Sequence, residues 1–166
     1  MNETKRIRAL LDPGETTLVA ALLITLLPFP TYSQRKAHTG KSFAQMLVET
    51  TLAKHPESDE ISISANTSRG CLGIASTDKS DVGGKCEKED SEPMRTGKPV
   101  VEKEKDGFDV SLPLHDSAGK IIGAVGIGFK PAPGQTEASV TKLAMKIASE
   151  MEAQIPSKTA LFEHLE

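Results

Sequence analysis

The sequence predicts an α+β fold in which a five-stranded antiparallel sheet is flanked by helices at its N- and C-terminal ends, and three observations predict it. Within residues 107–114, Phe108, Val110, Leu112 and Leu114 alternate with Asp109, Ser111 and Pro113. That period of two marks a half-buried strand. Residues 121–129 follow as an apolar, glycine-rich run behind a polar turn with Asp116 and Gly119, so the two runs form an antiparallel hairpin. Near the C-terminus, Val140, Leu143, Ala144, Ile147, Met151 and Ile155 share one helical face opposite Lys142, Lys146 and Glu150, with Pro156 behind them. This is an amphipathic closing helix.

The other elements are read in chain order. Phe43, Met46, Leu47 and Thr50 recur at helical spacing, which predicts a helix over 42–54. His55-Pro56 ends it, because a residue before proline avoids the helical region. Residues 61–65, Ile-Ser-Ile-Ser-Ala, alternate as a strand, 66–70 read as a turn, and 71–77 form the returning strand. Residues 78–95 are polar, contain Gly83-Gly84, and are expected to hold a loop with one or two short helical turns. A break at 96–99 leads to a short strand over 100–103. The order is helix, two strands, helical insert, three strands, helix, which places helices against an antiparallel sheet.

At 166 residues the chain accommodates one domain and a processed end. The aromatic fraction of 4% with no Trp argues against an aromatic cage, and a net charge of -3 without a basic stripe excludes nucleic acid as the expected partner. Lys5, Arg6 and Arg8 precede the apolar run 18–27, and Pro28, Pro30 and Thr31-Tyr32-Ser33 follow it. Residues 1–33 therefore read as a secretory signal peptide, with an uncleaved anchor as the alternative. Residues 34–41 are a polar leader, 42–156 the domain and 157–166 a C-terminal tail. The expected location is periplasmic or secreted.

Export bears on Cys71 and Cys86, the two cysteines of the chain. In an oxidising compartment they are expected to form a disulfide. Closing a loop of about 15 residues contributes on the order of 3 kcal/mol in the chain-entropy view. No CxxC, paired histidines or CxxCH is present, so neither a metal nor a cofactor is expected. His55, Glu57, Asp59 and Glu60 resemble a metal set in composition alone and read as a solvated loop.

From about residue 42 to residue 129 the chain resembles a single Cache domain, the extracytoplasmic PAS-like sensor module. The resemblance rests on the N-terminal helix, the strand Gly-Cys-Leu-Gly-Ile-Ala-Ser-Thr and the insert with Val82-Gly83-Gly84. It also rests on Thr96-Gly97-Lys98-Pro99, Leu112-Pro113-Leu114, the Asp-x-x-Gly turn and the closing strand Ile122-Gly123-Ala124-Val125-Gly126. It implies a PAS/Cache-like sheet with a pocket between sheet and insert that binds a small polar molecule: a carboxylate, an amino acid or an amine. Cache sensors usually lie between two membrane helices and drive an output domain. Neither a second membrane segment nor an output domain is read here, so a stand-alone sensor or scavenger is expected, with a membrane receptor or transporter as partner.

On that reading Arg95 and Lys98 lie where the insert meets the sheet, and an arginine there can clamp a carboxylate. The alternative is that both are solvated charges beside Glu87, Glu89 and Glu92. Asp109 and Ser111 are either polar pocket walls or the solvent face of the sheet, and His115 is a ligand residue or a surface histidine. Gly123, Gly126 and Gly128 do not follow the G-x-G-x-x-G spacing, and no βαβ unit surrounds them, so a dinucleotide loop is excluded. Glycines within a strand let a helix or a ligand approach the backbone, and the closing helix is the expected neighbour. No G-x-S-x-G, H-E-x-x-H or Cys-His nucleophile pattern is present, so no catalytic residues are expected. The alternative function is an extracytoplasmic protein–protein interaction module on the same fold without a pocket.

Overall fold

In the computed structural model, which describes residues 40–105 and 107–165, the elements follow the expected order. They are α1 (Phe43–Lys54), β1 (Ser58–Thr67), β2 (Gly70–Ser76), α2 (Lys88–Thr96), β3 (Val100–Glu104), β4 (Gly107–His115), β5 (Ile121–Phe129) and α3 (Glu137–Glu152), followed by a 3-10 turn at Ala160–Phe162. The five strands form one antiparallel sheet in the order β2-β1-β5-β4-β3. The expected signal peptide, and the leader as far as residue 39, lie outside the described residues.

The starts of α1 and α3 are locally encoded. Ser42 caps α1 by accepting the Gln45 N–H at 3.1 Å, and Thr136 caps α3 by accepting the Ser139 N–H at 3.2 Å. The β4–β5 turn closes on Asp116, whose Oδ1 accepts the Ala118 and Lys120 N–H groups, both at 3.0 Å. Gly119, at φ +75°, occupies the left-handed position there that disfavours a side chain.

One face of the sheet packs on α1 and α3. Ile61 and Ile63 of β1, Val110, Leu112 and Leu114 of β4, and Val125, Ile127 and Phe129 of β5 meet Leu47 and Val48 of α1 and Val140, Ile147 and Met151 of α3. The buried stripe of α1 is Ala44, Leu47, Val48 and Thr51, not the Phe43–Met46–Leu47–Thr50 face expected from hydrophobicity. Phe43 and Met46 are half-buried and Thr50 is exposed. Small Ala44, fully buried, lets the helix backbone approach the sheet where a large residue would hold it away.

Three further differences have local causes. The insert carries one nine-residue helix, α2, that continues past Pro93 and ends at Gly97 in the left-handed conformation (φ +69°). Its first turn is supported by Glu89 and Asp90, the latter accepting the Glu87 N–H at 3.1 Å. The helix α3 stops at Glu152, three residues before Ile155, because Pro156 excludes the helical region for its predecessor; Ile155 is still buried. Residues 157–165, set apart as a tail, are docked. Leu161 is 1% exposed, Phe43 N–H donates to Glu163 O at 2.7 Å, and Ser42 bridges to His164.

His55 closes the corner between α1 and β1. Its ring is buried, Nδ1 lies 3.0 Å from Glu57 Oε1, and Nε2 lies 3.0 Å from Glu150 Oε2 on α3. The expected solvated loop is thus a buried tie for this residue, because the turn before Pro56 points the imidazole inward between two helices.

The core makes a direct prediction. Leu114→Ala removes a fully buried side chain on β4 and is expected to lower the unfolding free energy of the oxidised protein by about 2–5 kcal/mol in a denaturant titration. A loss below about 1 kcal/mol would mean that β4 does not face this core.

Candidate functional site

The opposite face of the sheet is polar, and pairing aligns its side chains in rows. Glu60 of β1, Gly128 of β5 and Asp109 of β4 are mutual register partners, and so are Ser62, Gly126 and Ser111 in the next row. A Cβ at Gly128 would lie 2.6 Å from Asp59 Oδ1 and 3.1 Å from Asp109 Oδ1, and one at Gly126 would lie 2.7 Å from Ser62 Oγ. The two glycines therefore leave an open floor between polar walls. A Cβ at Gly123 would meet Ser64 O and Ala65. None of the three glycines accommodates α3, which corrects the expectation that the closing helix is their neighbour. Alternation puts positions 126 and 128 on the face away from it.

Over this floor the insert makes a roof. Cys71 of β2 and Cys86 are joined in a disulfide with a Cα–Cα distance of 5.3 Å. Beside it, Cys86 N–H donates to Cys71 O at 3.2 Å, Gly73 N–H to Gly84 O at 2.9 Å, and Gly83 N–H to Gly73 O at 2.8 Å. These bonds fasten the insert to the free edge of β2 and set α2 across β4 and β5. A cleft of about 430 Å3 remains between sheet and insert.

The cleft is acidic. Glu60, Asp109 and Glu102 approach from the sheet, Asp81 from the loop of the insert, and Glu87, Glu89 and Asp90 from the start of α2; among the described residues Lys85 is the one cationic side chain on its wall. Among the described residues, none of these seven carboxylates lies within 4.0 Å of a Lys, Arg or His nitrogen. The wall also carries Ser62, Ser64, Ser80 and Ser111 but no aromatic residue. A second hollow, bounded by Asp59, Glu104 and Phe108, shares Glu60, Asp109 and Gly128 with the first.

Crowding of like charges is visible in the proton affinities. Burial, the hydrogen bond with Asp81 and the nearby charges of Asp81, Asp109 and Asp78 push Glu60 up to about 7. Burial, with Glu104 and Asp59 nearby, raises Asp109 above the ordinary carboxylate range. Glu102 is raised by burial and by the surrounding carboxylates, Glu89 first. An unpaired carboxylate among others favours its neutral form for these two reasons.

Of the residues singled out from sequence, Asp109 and Ser111 line the cleft, and the other three do not. Arg95 lies on the solvent side of α2, 73% exposed, 3.6 Å from Glu92, and borders a separate surface hollow with Asn66, Lys88 and Met94. Lys98 is exposed beyond Gly97. His115 is tied to α3, its Nδ1 2.6 Å and its own N–H 2.8 Å from Glu152 Oε1. The helical turn carrying Arg95 faces outward because Pro93, two residues earlier, is the buried residue of α2. Glu60 was grouped with His55 and Glu57 by sequence proximity, yet it lies on the cleft face while His55 points to the helices. The period-two pattern could have found it, because Glu60, Ser62 and Ser64 fall on the face opposite Ile61 and Ile63.

The fold is similar to that of a GAF domain of known structure. The GAF domain of an Acinetobacter phosphoenolpyruvate-protein phosphotransferase superposes with a TM-score of 0.50 at 15% identity, over 75% of this chain and 89% of that one. Two further solved structures are similar. The type II free methionine-R-sulfoxide reductase of Thermoplasma acidophilum has a TM-score of 0.48, 15% identity and coverage of 73% and 93%. The sensor domain of E. coli DcuS has a TM-score of 0.40, 18% identity and coverage of 62% and 71%. No protein-family model and no curated protein sequence matches the chain. At such identities the likeness concerns the fold, and function is argued from the site. Among the described residues no helix is long and apolar enough to cross a membrane.

Two outcomes follow for the site. A glutamate with a raised native pKa holds its proton in the folded state after the unfolded state has lost it, so its contribution to stability is full below about pH 4.5 and is lost as pH rises through about 7. Thermal unfolding between about pH 5 and pH 8 should show this decline, and Glu60→Gln should flatten it and be the more stable protein at the alkaline end; a parallel decline in the variant would remove Glu60 as its cause. Separately, the Cys71→Ser/Cys86→Ser double variant should lose about 3 kcal/mol of stability by chemical denaturation. An unchanged midpoint would show that the backbone bonds alone hold the insert.

Proposed function

We propose that this protein is an exported, Cache-like sensor or scavenger module that binds a small amine-bearing cation in the cleft between the sheet and the insert. The observation that carries the reading is the cleft itself: among the described residues, seven carboxylates and one lysine surround about 430 Å3, and no cationic side chain is paired to any of the seven. A small carboxylate entering there meets like charge on every wall. An ammonium group relieves that repulsion and finds the Ser62 and Ser111 hydroxyls as additional acceptors. The aromatic-free wall disfavours a quaternary ammonium cage and favours primary amines, which can donate up to three hydrogen bonds.

Asp109 and Ser111 are the ligand-binding side chains in this reading, joined by Glu60, Glu102 and Asp81; Arg95, Lys98 and His115 have no part in it. The reading assigns the cleft to binding, without a catalytic role. Export is supported by the n-region and apolar run of residues 1–33 and by the disulfide, which persists in oxidising compartments. A membrane receptor or transporter is the natural reader of the bound state.

The test is a thermal-shift titration of the oxidised protein with 1,4-diaminobutane, lysine, succinate and a purine. Amines should raise the midpoint with dose, reaching about 2.7 kcal/mol of stabilisation at a concentration 100 times Kd. Asp109→Asn should weaken the response at least about tenfold and Arg95→Ala leave it unchanged. A shift with succinate that Arg95→Ala abolishes would overturn the assignment in favour of a carboxylate site at α2. No shift with any probe, together with a protein that co-purifies, would identify an interaction module without a ligand.

A further inference from the structure

We propose that the cleft is gated by a proton: one proton held between Glu60 on the sheet and Asp81 on the insert keeps segment 78–82 closed, and its loss to solvent releases that segment. The proposal concerns the regulation of the same cleft and rests on the reading of it as the binding site.

The segment is defined by its anchors. At its start, Thr77 N–H donates to Ile61 O at 3.0 Å and Thr77 Oγ1 accepts the Ile61 N–H at 3.0 Å. At its end, Gly83 N–H donates to Gly73 O at 2.8 Å, just ahead of the disulfide. Between these points Asp78 N–H donates to Ser76 Oγ at 3.0 Å and Asp81 N–H to Asp78 O at 3.3 Å, and Val82 is 46% exposed. Asp81 is the side chain of this stretch that reaches the sheet.

What it reaches is another carboxylate. Ser76 Oγ lies 3.4 Å from Asp81 Oδ2 and 3.5 Å from Glu60 Oε1 while accepting the Asp78 N–H at 3.0 Å. A serine hydroxyl has one proton to donate, so it serves one of the two carboxylates at a time. The two carboxyl groups thus converge on one hydroxyl, and a hydrogen bond with Asp81 is among the causes that raise Glu60; two carboxyl groups make such a bond when one of them holds a proton. With both ionised, the contact turns from a hydrogen bond into repulsion, and the Ser76 hydroxyl is left as the side-chain tie between segment and sheet.

The surroundings reinforce the proton and supply no substitute. Asp59 adjoins Glu60 on β1, Asp78 faces it from the insert and Asp109 from β4. Farther round the cleft stand Glu102 on β3 and Glu87, Glu89 and Asp90 on α2. Of the nearby cations, Lys85 sits on the wall without an ion pair, and Lys79 acts on Glu49 of α1. Burial and these neighbours place the exchange of the proton near neutral pH. Opening returns Glu60 to water and to its ordinary range, so opening and proton release are one linked step. A cation in the cleft would take the place of the lost proton.

The experiment is amide hydrogen exchange of the oxidised full chain without ligand, corrected for intrinsic rates, from about pH 5 to about pH 8. The opening equilibrium of residues 79–82 should rise about tenfold per pH unit up to about 7 and then level off. Amides of β1 and β5 provide the internal control and should show no such slope. Glu60→Gln and Asp81→Asn each replace the shared proton with a permanent amide donor, so both should hold the segment closed and remove the slope. A corrected profile that is flat in the parent protein, or a slope that survives in both variants, overturns the gate whatever the cleft binds. A slope in the parent protein without any response to 1,4-diaminobutane leaves the gate standing and removes the amine reading instead.

Discussion

The strand β5 is paired along both edges, to β1 and to β4, and its alternation commits every one of its residues to one of two unlike environments. Val125, Ile127 and Phe129 complete the core under α1 and α3. Gly126 and Gly128, between them in sequence, floor the cleft on the other side. A slip of one residue in either ladder would exchange the two sets and bury polar rows under the helices. The same register sets Glu60 against Asp109 across Gly128 and Ser62 against Ser111 across Gly126. Core, floor and the rows of cleft-lining side chains are thus one constraint seen from two faces.

A floor of this kind is exposed unless something covers it, and the insert does so through the edge of β2. The disulfide and the adjoining backbone bonds hold its end, and Thr77 holds its beginning. The result is a concave site whose walls come from elements far apart in sequence, with the charge of each wall uncompensated. Bringing carboxylates together without a cation costs stability in the empty state, and the raised proton affinities of Glu60, Asp109 and Glu102 record that cost. On the proposed reading, a site under such electrostatic tension responds to protons and to cations alike, and ligand recognition and gating share the same few side chains.

Much of the fold was legible because the relevant signals are local. The alternation of 107–114, the turn at Asp116 and Gly119, the apolar face of α3 and the Pro56 and Pro156 stops each act within one element or its cap. Asp109 and Ser111 were placed on the polar face of β4 by the same period. Arg95, Lys98 and His115 were chosen because of the charge a ligand was expected to carry, and that expectation does not follow from strand or helix periodicity. Their side chains settle elsewhere: Arg95 on the outer turn of α2 and His115 against Glu152. Glu60 was missed for the converse reason, since its sequence neighbours His55 and Glu57 belong to another side of the molecule. The face of α1 was misplaced by one position because volume, not hydrophobicity, selects Ala44 for the contact.

By itself the sequence determined the α+β class, the order of elements, the hairpins and the identity of the one disulfide pair, all of which depend on short-range stereochemistry, patterning or composition. Only the tertiary structure decided the strand order β2-β1-β5-β4-β3, the docking of residues 157–165 and the sign of the charge in the cleft. Those depend on which distant residues become neighbours. Long-range pairing brings Glu60, Asp81, Glu102 and Asp109 to one wall, and a net charge of -3 spread over 166 residues gives no hint that it will be concentrated there.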